Sequence, residues 1–66
     1  MFEIGDFVRT ERWDSQKYYS RIIGVGACAK FLLVTFPQLN NQEEWHFKED
    51  ITKIPDEEML IYMLQQ

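Results

Sequence analysis

Apolar and polar positions alternate with a period of two along most of this chain, the spacing that puts every second side chain on one face of a strand. Residues 4–10, IGDFVRT, open on a Gly-Asp turn signal and then run extended, with Val8 and Thr10 on one face and Phe7 and Arg9 on the other. The segment ERWDSQK is polar around Trp13 and contains Asp14-Ser15, a turn signal. Residues 18–25, YYSRIIGV, are β-branched and aromatic, and they predict a second strand stopped near Gly24 and Gly26. In AKFLLVTF the residues Leu32, Val34 and Phe36 share one face, and Phe31, Leu33 and Thr35 share the other. Both faces are apolar, which predicts a central strand, and Pro37 ends it because proline has no N–H to give a ladder.

After the polar turn PQLNNQ, residues 43–48, EEWHFK, alternate again. Trp45 and Phe47 fall opposite His46, and this spacing reads as a fourth strand whose two aromatic rings roof the core. EDITKIP then supplies Ile51 and Ile54 to a short helical turn and a fifth strand. The end changes character: Pro55 stands at a first-turn position and Asp56, Glu57 and Glu58 follow, where a helix N-terminus favours negative charge. The expected class is therefore mainly β, with five short strands bent into a partly closed barrel over residues 1–54 and a short C-terminal α-helix over residues 55–66.

Composition narrows the function classes. Sixty-six residues with 45% hydrophobic and 15% aromatic content make one folded domain near the lower size limit for independent folding. The net charge of −4, with no cluster of four Lys or Arg residues, lacks the electrostatic footprint of a protein that grips a phosphate backbone. Cys28 is the single cysteine, so no internal disulfide forms, and this fits a reducing compartment. MFEIGDF has neither a basic start nor a long apolar run, and no segment has the length of a membrane span, so the expectation is a soluble, cytoplasmic protein without a signal peptide.

Catalytic chemistry finds no foothold. His46 is the sole histidine, and no Ser/His/Asp or Cys/His set accompanies it, so the chain is expected to be non-enzymatic and to carry no cofactor or metal. The Asp56-Glu57-Glu58 run lacks the alternating oxygen ligands of a calcium loop. Arg9, Arg12, Lys17 and Arg21 are interleaved with Trp13, Tyr18 and Tyr19, the composition of a platform for single-stranded nucleic acid. Glu11 and Asp14 in the same segment favour a solvated edge with ion pairs instead.

The order of these residues resembles Tudor and related SH3-like barrels. The matching positions are Gly5-Asp6-Phe7-Val8, Trp13, Tyr18-x-Ser20-x-Ile22-x-x-Val25, Val34-x-Phe36, Asn41, Glu43 and Asp50-Ile51, covering residues 4–54. The resemblance implies a five-stranded barrel and, in members that bind methylated Lys or Arg, an aromatic cage. On this chain the cage positions would be Trp13, Tyr18 and Phe36 with Asn41 as the polar member, while Leu39 stands where such domains place another aromatic. That implies a loop cleft framed by Trp13, Tyr18, Phe36, Leu39 and Asn41 rather than a full methyl-cation cage. The ending WHFKEDITKI is also similar to SH3-like accessory chains of photosynthetic electron transport, such as the variable chain of ferredoxin–thioredoxin reductase, which implies a docking subunit.

The run from Met59 to Leu64 is apolar on every helical face, and one small barrel hides only one of them. Met59, Tyr62 and Met63 are therefore expected to serve a protein partner or a homodimer contact. The leading expectation is a protein-interaction module, an accessory subunit or regulator of a larger complex that binds through the loop cleft and the helix. Single-stranded nucleic acid and electron-transport docking are the alternatives.

Overall fold

A computed structural model describes residues 2–65; the outermost residues of the two expected segments, 1 and 66, lie outside the described range. Five strands form one antiparallel sheet: β1 (Phe7–Glu11), β2 (Lys17–Val25), β3 (Phe31–Phe36), β4 (Gln42–Phe47) and β5 (Ile51–Lys53). Their spatial order is β4-β3-β2-β1-β5, so β3 is an inner strand, as its two apolar faces imply. A helix, α1 (Asp56–Leu64), follows β5.

The sheet curls because β2 serves two partners. Residues 17–21 of β2 pair with β1, and from Arg21 onward it pairs with β3, with a register shift between Ile22 and Gly24. An extra residue at that point bends the strand and increases its twist. One face of the sheet can then close on itself. Val8, Ile22, Leu32, Val34, Phe36 and Ile51, drawn from four strands, form a single buried cluster, with Phe2, Tyr18 and Leu39 packed at its margin. This barrel-like enclosure gives so short a sheet a shared interior.

Two polar residues are fully buried with it. Thr10 and Ser20 lie on the inner face of β1 and β2, and their hydroxyls satisfy each other at 2.7 Å. A buried hydroxyl without such a partner would be costly.

The turns follow the residues that favour them. Gly5 has a φ of 99°, which a side chain would resist, and its N–H donates to the Ile22 carbonyl. Asp14 folds the β1–β2 turn by accepting the Gln16 N–H and the Tyr18 hydroxyl, with Ser15 in the left-handed region. After Phe36 the chain makes a short 3-10 turn, Pro37–Leu39, and then reverses through Asn40 and Asn41, both left-handed. Asparagine is the commonest non-glycine residue in that conformation.

Helix α1 begins directly after Pro55 with three acidic residues in its first turn, as expected. It lies on residues that point away from the barrel interior: Tyr62 stacks on Tyr19 with ring centroids 4.3 Å apart, and Arg9 reaches Glu58 at 3.6 Å. Met59 is buried, apart from the cluster inside the sheet, and shares an apolar hollow with Phe7, Leu60 and Met63. Leu60, Ile61, Met63 and Leu64 remain exposed. Among the described residues no helix is long and apolar enough to cross a membrane.

Candidate functional site

The register of β4 decides where its aromatic rings go. Leu32 pairs with His46, Val34 with Glu44 and Phe36 with Gln42, so the inner face of β3 faces the polar residues of β4. Trp45 and Phe47 pair with Leu33 and Phe31 on the outer face. They do not roof the core: Trp45 is 55% exposed and Phe47 54%.

What closes the core beside β4 is a charged cluster. Arg12, from the β1–β2 turn, donates from Nε and Nη2 to the two carboxylate oxygens of Glu44 at 3.1 and 2.6 Å. Gln42 Nε2 donates to the same carboxylate at 2.7 Å, and His46 Nε2 lies 2.8 Å from it. The fork-on-fork geometry is the strong form of this pair. Both side chains keep less than a fifth of their surface exposed, so solvent screens them little. The Arg12 hydrogen bonds hold the Glu44 carboxyl below the usual glutamate range, His46 adds to that, and partial burial opposes it. Glu44 in turn raises the Arg12 guanidinium above its ordinary value.

The same guanidinium sits 5.5 Å from the Tyr18 ring centroid and 5.6 Å from that of Phe36. Tyr18 and His46 both meet Phe36 edge-on. The aromatic residues expected to frame a cleft for a foreign cation therefore surround one of the chain's own. Phe36 is fully buried, and Leu39 packs against the core. Asn41 is exposed, and its conformation turns the chain into β4. The structure packs Tyr18 and Leu39 at the core margin against the buried Phe36, and Trp13 stands apart from them in solvent.

Trp13 instead stands out from the β1–β2 turn, 85% exposed. With Glu11, Arg12 and Ser15 it makes one wall of an open groove of about 440 Å³. Trp45, His46, Phe47 and Asp50 make the other wall. Gly26 helps to set Trp45: a Cβ there would come within 3.2 Å of the indole ring and of the Phe31 side chain. The missing side chain lets the ring lie against the β2–β3 connection. The Phe31 and Phe47 rings meet at a tilt with centroids 4.7 Å apart and extend the apolar surface across β3.

Carboxylates border this groove. Glu11 and Asp50 line it, and both also line an adjoining polar hollow of about 160 Å³ with Glu49, Arg9 and Lys17. Of the cations nearby, Arg12 is bound to Glu44, Arg9 is paired with Glu58, and Lys17 stands cross-strand from Glu11. Of the residues expected at helix α1, Met59 is buried, Tyr62 is stacked on Tyr19, and Met63 is exposed.

Trp45, Phe47, Glu11 and Asp50 were not expected at a binding surface. The alternation groups Gln42, Glu44 and His46 on the opposite face of β4, but only the structure shows Arg12 neutralising that face. No family model, curated protein or solved structure matches the chain.

Proposed function

We propose that this protein is a non-enzymatic protein-interaction module of the SH3-like, Tudor-like kind, an accessory subunit or regulator that docks a cation-bearing segment of a partner protein. The observation that carries the reading is the groove between Trp13 and the Trp45–Phe47 face, whose open aromatic surface is bordered by Glu11 and Asp50. The strand order and the 3-10 turn between β4 and β5 support the family resemblance. Large exposed aromatic surface is costly to leave in water and is concentrated at recognition sites. An Arg or Lys side chain laid on such a ring gains about 0.5–2 kcal/mol by cation–π attraction. The carboxylates add attraction and select basic over acidic partners. The net charge of −4 acts in the same direction at longer range.

The test is calorimetric titration with an arginine-rich peptide and with its acidic counterpart, on the native protein and on Trp45→Ala. The reading expects binding of the basic peptide only, lost in Trp45→Ala and weakened by salt. Equal affinity for both peptides would sink it, as would retention of single-stranded DNA in place of the peptide.

A further inference from the structure

The groove has a second property that its side chains do not reveal: it runs beside an unpaired strand. β4 is the last strand of the sheet, with β3 as its sole neighbour among the described residues. The direction of its backbone groups follows from the ladder. Lys48 donates its N–H to the Lys30 carbonyl at 3.0 Å, which extends the β3–β4 pairing by one step. Bonded and non-bonded pairs alternate in an antiparallel ladder. The bonded pairs are therefore Leu32 with His46, Val34 with Glu44 and Phe36 with Gln42. Glu43 and Trp45 fall at the non-bonded positions, and their N–H and C=O groups point away from β3.

No turn or loop backbone bond takes up those groups among the described residues. Glu43 and Trp45 thus offer two donors and two acceptors in the spacing of a strand. Their side chains lie on the outer face with Phe47, opposite the inward Glu44 and His46. The far wall of the groove is the end of β1 and its turn. The β1–β5 pairing stops at Thr10 and Ile51, so Glu11 extends past β5 toward the opening.

We infer that the partner segment binds as an extended strand along the free edge of β4, so that it lies between β4 and the Glu11–Trp13 wall. This rests on the proposed interaction function and specifies the conformation and chemistry of what is bound. The occupant must be extended, because only a strand presents amides at the spacing of Glu43 and Trp45. Its side chains alternate between the Trp45–Phe47 face and the gap near Arg12. Those on the outer face meet aromatic rings beside Glu11 and Asp50, with Glu43 on the same face of β4, which favours lysine or arginine there. A second copy of this chain fits less well, because β4 contains no Lys or Arg and a second net charge of −4 would meet the same acidic border.

Edge strands left open invite uncontrolled pairing, and charged residues on them are a common defence. Glu43 is such a residue here. It repels acidic and self-derived strands and is matched by a basic one.

The experiment uses two synthetic peptides of one sequence, lysine alternating with valine, the second N-methylated on alternate residues so that one edge has no N–H groups. Titration calorimetry measures affinity, and amide hydrogen exchange by NMR reads Glu43 and Trp45 in the bound and free protein. The expected result is binding of the unmodified peptide, a loss of roughly tenfold or more on N-methylation, and slowed exchange at Glu43 and Trp45 on saturation. A Glu43→Pro variant removes one outward N–H while leaving the β3 ladder intact, and proline is tolerated on edge strands. It should lose binding more than Glu43→Gln, which removes only the charge.

Equal affinity for the two peptides with unchanged exchange overturns strand addition and leaves side-chain docking in the groove standing. Absence of binding by either peptide overturns both readings. Slowed exchange at Glu43 and Trp45 that appears with protein concentration alone assigns the edge to a second copy and overturns the partner strand.

Discussion

Replacing Phe36 by leucine tests most sharply whether this ring belongs to the core or to a cleft. Phe36 is fully buried and meets Tyr18 and His46 edge-on at centroid distances of 6.0 and 5.7 Å. Each edge-on aromatic contact contributes about 0.5–1.5 kcal/mol beyond its buried area. Leucine keeps much of the apolar burial but loses both contacts and the ring surface under Arg12, a total of about 2 kcal/mol. A domain of this size holds only about 3–5 kcal/mol in all. With a urea slope of about 1 kcal/mol per molar, the unfolding midpoint should fall by roughly 2 M. Trp45→Leu provides the comparison, because its ring is more than half exposed and its loss should cost under about 1 kcal/mol. Urea unfolding followed by far-ultraviolet circular dichroism measures both. A Phe36→Leu midpoint that moves no further than that of Trp45→Leu would refute the assignment of Phe36 to the core.

Three more outcomes follow from the same geometry. Thr10→Val takes the 2.7 Å partner from the buried Ser20 hydroxyl, which keeps a 3.4 Å bond to the Val8 carbonyl, and should cost about 1 kcal/mol, while the double variant with Ser20→Ala should cost clearly less than the sum of the two singles in a denaturation cycle. The carboxyl of Glu44 is held low first by Arg12, so its share of the stability is complete above the ordinary glutamate range, near about pH 4.3, and is lost as pH falls through its lowered value. Asp6, held low by the Glu3 N–H and by Lys53, acts in the same direction, so urea midpoints should stay level down to about pH 5 and then fall, with a shallower fall in Arg12→Gln. Met59→Ala removes the buried anchor of α1 and should cost about 2–4 kcal/mol by thermal unfolding, whereas Leu64→Ala on the open side of the helix should stay within about 0.5 kcal/mol.

Local alternation made much of this fold legible. Val8 with Thr10, and Leu32 with Val34 and Phe36, share a face as their spacing predicts, that face being the buried one, and Pro55 with its acidic followers marks the start of α1. Alternation also separates the two faces of β4 correctly, but it cannot say which one is inward. Hydrophobicity alone puts Trp45 and Phe47 inside. The pairing with β3 turns Glu44 and His46 inward instead, and that is tolerable because Arg12, thirty-two residues from Glu44, neutralises the carboxylate. A pair so distant in sequence leaves no local signature. The residues expected to frame one cleft are parted for the same reason: Arg12 lies over the Tyr18 and Phe36 rings, and Trp13 lines the groove with Trp45 and Phe47. Gly26, which reads as a simple strand stop, also makes room for the Trp45 ring.

The docking account is tested most directly by the two tryptophan indole N–H signals in a nitrogen–proton NMR spectrum. Trp13 and Trp45 are the only tryptophans, and they stand on opposite walls of the groove. On titration with an arginine-rich peptide the account predicts that both signals move together along one saturation curve. Two signals that stay fixed while the peptide binds elsewhere would contradict it.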